Sequence, residues 1–108
     1  MNIETDLIKQ KEDIFEQLKQ FISEIIGTDV VEELNVTNES IFTKDLEMDS
    51  IEIVTFAEKV NNYYGKTFDF TSWLYGIELE NLINLSLGDI VDLISDAISE
   101  KKSLSLNQ

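Results

Sequence analysis

Leu46-Glu47-Met48-Asp49-Ser50-Ile51, with the run that continues to Tyr64, decides how this chain folds. From Ile51 the apolar residues recur as Ile53, Val54, Phe56, Ala57, Val60, Tyr63 and Tyr64. Steps of three and four dominate, the period of a helix with one buried face. Asp49 is a good N-cap, and Glu52 three residues on completes a D-x-x-E variant of the capping box. The spacing predicts a helix over residues 50–64, ended by Gly65, with Ser50 at its first position and the hydroxyl directed outward. Ile53, Phe56, Ala57, Val60 and Tyr64 should face inward; Glu52, Thr55, Glu58, Lys59 and Asn62 should face solvent.

Taken alone, an Asp-Ser pair at a helix start is a cap without chemistry. A covalent reading is also open, in which the hydroxyl accepts a phosphate-linked group. Free N–H groups and the helix dipole favour a phosphodiester at such a terminus.

Upstream, Ile3, Leu7, Ile14, Leu18, Phe21 and Ile25 form one apolar stripe opposite Lys9, Glu12, Asp13, Glu16 and Lys19. They predict a first helix over residues 3–26, with Gly27 as its terminator. Residues 28–48 carry turn formers and no sustained period, so they read as a long ordered loop anchored by Ile41, Phe42 and Leu46. Asp45, Glu47 and Asp49 alternate as in a calcium loop. The match fails at its sixth position, where Gly is needed and Ser50 stands, and at its twelfth, where Glu is needed and Phe56 stands. No metal site is expected.

Downstream, Thr67-Phe68-Asp69-Phe70 alternates briefly without a partner strand and reads as extended loop, with Phe68 entering the core. Residues 71–75 suggest one helical turn capped by Thr71 or Ser72 and ended by Gly76; residues 78–82 suggest another. Ser86-Leu87-Gly88-Asp89 is a second capping box and opens the last helix. Its stripe is Leu87, Ile90, Val91, Ile94, Ala97 and Ile98. The core should span about residues 3–100, with 101–108 a flexible tail.

The chain is long enough for one small domain, 1–108. Lys and Arg total 8 against 22 Asp and Glu, a formal net charge of −14. Such a field argues against nucleic acid and anionic membrane and favours docking onto basic protein surfaces. There is no Cys and no His. Disulfides, the usual nucleophilic triads and the commonest general base are therefore excluded, and no enzymatic activity is expected. The first residues lack the basic and apolar segments of a signal peptide, and no run reaches the ~20 apolar residues of a membrane span. A cytoplasmic monomer is the expectation.

Asp49-Ser50-Ile51, with Leu46 before it and Val54, Phe56, Val60 and Tyr64 after it, resembles the signature of acyl carrier proteins. The resemblance spans about Leu7 to Ile98 in the order and spacing of helices. It implies an all-α bundle of three long helices plus one or two short ones, with a long first loop. It implies that Ser50 receives 4′-phosphopantetheine from coenzyme A through a phosphopantetheinyl transferase. The prosthetic thiol then carries acyl groups as thioesters. Asp49 would cap the helix and meet the transferase, with Met48 and Ile51 as an apolar collar around the arm. Glu47, Glu52, Thr55 and Glu58 would face partner enzymes: acyl-transfer, ligase or synthase enzymes with basic docking patches. Lys59 interrupts that negative run. Phe56, Val60, Phe68, Trp73, Leu74 and Ile77 would shape an acyl cavity, although Trp73 reads as a packing residue before a ligand platform. One departure stands out. The family usually has Gly two residues before the Asp, and here that residue is Glu47. Together with the long aromatic second connection, it suggests a polyketide-type or otherwise specialised pathway. The other reading is an unmodified acidic helical module that binds a basic protein.

Overall fold

The computed structural model describes the backbone of residues 3–106 and the side chains of residues 5–101. Helix α1 spans Ile3–Ile26, as its periodicity predicts. Its buried face runs through Ile14, Leu18, Phe21 and Ile22. Leu7 is exposed and Ile25 only half-buried, so the stripe turns onto Ile22, which the sequence reading left out. The side chain of Ile3 lies outside the described residues.

Gly27, at φ +103°, ends α1. A second helix, α2 (Thr28–Leu34), begins at once and buries Val31. This corrects the expectation of an unbroken loop from residue 28. The non-helical stretch is residues 35–49, and its backbone polar groups are largely answered locally or from across the fold. The Ser40 hydroxyl accepts from the Thr37 N–H at 2.9 Å. The Ile41 N–H donates to Asp45 Oδ2 at 2.8 Å. Phe42 N donates to Leu85 O at 3.2 Å, Leu87 N to Ser40 O at 2.9 Å, and Gly88 N to Asn38 O at 2.7 Å. Phe42 and Leu46 are buried, as expected of anchors.

Helix α3 (Ser50–Tyr64) follows and buries Phe56, Ala57 and Val60. Helix α4 (Phe70–Gly76) is capped by Asp69, not by Thr71 or Ser72. Asp69 accepts from the Ser72 N–H at 3.1 Å and from the Ser72 hydroxyl at 2.7 Å. Those bonds, the hydroxyl's first, hold its carboxyl below the usual range. Phe70 is the core residue here, at 2 % exposure, while Phe68 is half-buried at the edge. Helix α5 (Leu79–Leu82) is a single turn.

Helix α6 (Leu87–Leu106) starts at the predicted capping box: Ser86 N donates to Asp89 Oδ2 at 3.0 Å, and Asp89 N to Ser86 Oγ at 3.2 Å. It continues past Lys101 through residues 103–106, which the sequence reading placed in a flexible tail. No Gly or Pro stands there to stop it. Residues 107 and 108 lie outside the described residues.

Helix α1 packs against α2, α3 and α6, and α3 packs against α4. The fully buried hydroxyl of Ser95 on α6 accepts from Gln10 Nε2 of α1 at 2.8 Å. Among the described residues there is no strand, only a bridge between Ile41 and Ser86. The fold is an all-α bundle of three long and three short helices among the described residues, one short helix more than predicted. No described helix is long and apolar enough to cross a membrane.

Gly88 is where the first loop meets α6. A Cβ there would lie 2.9 Å from Asn38 O and 3.1 Å from Asn38 Cβ. We expect Gly88→Ala to force the two segments apart and cost about 1–3 kcal/mol in urea denaturation. An unchanged midpoint would show that the loop shifts freely.

Candidate functional site

Ser50 sits where the tethered loop hands over to α3. The loop turns on itself through Leu46 N to Ile41 O at 3.1 Å and Met48 N to Phe42 O at 3.0 Å. Leu46 and Met48 both point into the core, at 3 % and 4 % exposure. Glu47 between them faces outward and adopts φ +50°. This left-handed residue stands between the two buried neighbours, and glycine is the residue that adopts such a conformation without strain. Glu47→Gly should therefore release about 1–2 kcal/mol of strain and lose about 0.5–1 to chain entropy, a net gain of up to about 1.5 kcal/mol in chemical denaturation. Glu47→Ala is the control, since Ala carries the same strain. An equal gain in that variant would assign the effect to the removed charge.

The cap forms in full. Asp49 Oδ1 accepts from the Glu52 N–H at 2.8 Å, and Glu52 Oε1 accepts from the Asp49 N–H at 3.0 Å. A cap of this kind is worth about 1 kcal/mol. It leaves the N–H groups of Ser50 and Ile51 without a partner among the described residues. The Ser50 side chain is exposed and likewise has no hydrogen-bond partner among them. An exposed hydroxyl beside two free N–H groups at the positive end of a 15-residue helix can hold a phosphodiester.

Beside Ser50 opens an apolar hollow of about 340 Å³. Its walls are Thr43 and Met48 from the loop, Ser50, Ile53 and Val54 from α3, Leu74 and Tyr75 from α4, and Leu79, Leu82 and Ile83 from α5 and its end. The Thr43 hydroxyl donates to Ile83 O at 2.8 Å and ties the loop to the α5 wall.

The residues predicted for the site divide. Ser50, Met48 and Leu74 meet at the hollow. Met48 is a buried wall residue rather than part of an exposed collar, whereas Ile51, at 75 % exposure, stands free beside the serine. Phe56 lies beneath, on a smaller adjoining space with Phe42 and Phe70. Val60 is fully buried and does not reach the hollow; Phe68, Trp73 and Ile77 do not line it either. Phe68 and Trp73 instead surround Phe70, with ring centroids 6.3 and 5.5 Å from it, so Trp73 is a packing residue. The α5 wall was missed, because which face a four-residue helix presents is settled by tertiary packing.

Of the predicted docking residues, Glu47 and Glu58 are exposed. Glu52 is bent back onto the cap, and the Thr55 hydroxyl donates to Ile51 O at 2.9 Å. Lys59 pairs with Glu24 of α1 at 2.9 Å, and that hydrogen bond holds the Glu24 carboxyl below its usual range. The lysine is thus directed toward α1. Among the described residues, no three carboxylates gather as a metal site would need.

A helical bundle that presents one bare hydroxyl at a capped helix start has the build of a carrier. The chain belongs to the phosphopantetheine attachment site family, whose model matches residues 16–94. The group this family carries, covalently bound, is 4′-phosphopantetheine. No curated protein and no solved structure gives a significant match.

Proposed function

We propose that Ser50 is the attachment residue and that the chain is an acyl carrier protein, serving its partner enzymes without catalysing a reaction itself. The observation that carries this reading is the exposed, unpartnered Ser50 hydroxyl at the first turn of α3, inside the matched span and on the wall of an apolar hollow. When bound, the group supplies a thiol that holds acyl chains as thioesters. Ser50 provides the ester oxygen. The Ser50 and Ile51 N–H groups and the α3 dipole favour the phosphodiester's negative charge. Asp49 holds the helix start in place and faces the phosphopantetheinyl transferase.

Glu47 and Glu58, exposed on a chain of net charge −14, suit partner enzymes with basic docking patches. The charged Glu47 beside the serine and the aromatic connection of residues 66–85 support a polyketide-type or other specialised pathway over bulk fatty-acid synthesis. The deciding experiment is the intact mass of the protein after incubation with coenzyme A, magnesium and a promiscuous phosphopantetheinyl transferase. We expect a gain of one phosphopantetheinyl group. An unchanged mass with several transferases would overturn the carrier reading and leave an acidic helical interaction module.

A further inference from the structure

A second groove, of about 790 Å³, lies at the end of α3 remote from Ser50. One wall is α1, through Asp6, Lys9, Asp13, Glu16 and Gln20. The other is Tyr63 and Tyr64, and Ile14 of α1 and Ile98 of α6 line the groove as well. The α1 residues recur every three or four positions and so share one face. From Asp6 to Gln20 that wall is about 21 Å long, at ~1.5 Å per residue. Such a length suits an extended peptide of about six residues, at ~3.3 Å each, better than a compact small molecule. Tyr63 follows Ser50 by thirteen positions along α3, which places the groove about 20 Å from the serine.

The groove joins uncompensated charge to an aromatic platform. Asp6, Asp13 and Glu16 are exposed and face one ammonium, that of Lys9. Among the described residues the ion pairs are Lys11 with Asp92 and Lys59 with Glu24, so none of the three carboxylates is neutralised by one. Tyr63 is 60 % exposed, yet its ring is braced. Its centroid lies 5.8 Å from that of Phe21 and 4.7 Å from that of Tyr64, both edge to face. Burial, then Tyr63 and Asp13, push the half-buried Tyr64 hydroxyl up to about 12. The phenol therefore stays protonated, and the Asp13 charge is felt at the tyrosine pair. A carboxylate beside a fixed aromatic ring selects a planar cation. A guanidinium stacks on the ring and donates a pair of hydrogen bonds to the carboxylate, whereas an ammonium is more strongly hydrated and has no such fork.

We propose that this groove docks an extended, arginine-bearing segment of a partner protein, with a guanidinium seated between Tyr63 and Asp13, and that Ser50 stays open while the segment is bound. The site is independent of what Ser50 carries and lies apart from Glu47 and Glu58. It would hold a partner on the chain without covering the start of α3.

The test titrates the isotope-labelled full chain with a hexapeptide of alternating arginine and glycine, and with its lysine counterpart, and follows the amide resonances. Shifts should gather at Asp13, Glu16, Tyr63 and Tyr64 and leave Ser50 and Ile51 unmoved, with a dissociation constant on the order of 100 µM. The lysine peptide should bind about threefold more weakly, or worse. Tyr63→Phe keeps the ring and should bind as the parent does, while Tyr63→Leu should weaken binding about fivefold. Asp13→Asn, at an exposed position that the fold does not need, should weaken it about threefold. Glu33→Gln removes the same charge from the exposed side of α2, outside the groove, and should leave binding unchanged. Equal losses in Asp13→Asn and Glu33→Gln would reduce the attraction to net charge and overturn the docking site. Shifts centred on Ser50, equal affinity for the two peptides, or no shifts with arginine peptide at about 1 mM would overturn it as well.

Discussion

Phe56→Ala should cost about 3–5 kcal/mol, the largest stability loss of any substitution considered for this fold. Phe56 is 1 % exposed and stands at the point where three segments meet. Its ring touches Phe42 from the first loop and Phe70 at the start of α4. Phe70 in turn stacks on Trp73 at 5.5 Å. Truncation removes the central ring from this series and leaves a cavity whose walls are themselves rigid aromatics, so little collapse is available. A domain of this size has about 5–15 kcal/mol of stability in all, and the melting temperature should fall by about 15 °C or more. Glu58→Ala, exposed on the same helix, should stay within about 0.5 kcal/mol. Chemical denaturation of both variants decides the matter. A loss under about 1 kcal/mol for Phe56→Ala would mean that Phe42 and Phe70 close over the space.

The same residue shows what the amino-acid pattern could reveal. Phe56 sits in the middle of a strong helical period between a capping box and Gly65, and its burial follows from that period. Helices α1 and α3 fall on their predicted bounds for this reason, and α6 begins at its predicted cap. Short elements were less legible. Helix α2 is seven residues long and contains the β-branched pair Val30-Val31, so neither period nor propensity announced it. Phe68 and Phe70 both fit the inward side of an alternating segment. The choice between them is made by Asp69, which caps α4 and turns Phe70 inward.

The attachment candidate was legible because Asp49, Ser50 and Glu52 are local in sequence. The hollow beside it was not, because its walls come from four segments. Leu79 and Ile83 enter it only through the turn of α5 and the bond from Thr43 to Ile83 O. The left-handed backbone at Glu47 was equally hidden. A glutamate does not advertise positive φ, although the family's glycine at that position is what such a backbone favours.

Ser50→Ala should abolish loading by the transferase while leaving stability within about 0.5 kcal/mol of the parent. The two halves of that expectation have separate physical grounds. Loading needs an oxygen nucleophile at the start of α3, and alanine removes it without disturbing the cap, which is built from Asp49 and Glu52. Stability is indifferent because the Ser50 side chain is exposed, has no hydrogen-bond partner among the described residues, and is replaced by the best helix former. Neighbouring hydroxyls are poor substitutes. Thr55 donates to Ile51 O, Thr43 to Ile83 O, and Ser72 to Asp69. Intact mass reads the first half and thermal melting the second. Residual loading in Ser50→Ala would move the attachment to another hydroxyl. A melting temperature lowered by about 8 °C or more would make the serine structural, and the lost loading would then follow from a damaged helix start rather than a missing acceptor. Asp49→Ala, which retains the hydroxyl, should lose about 1 kcal/mol through the cap.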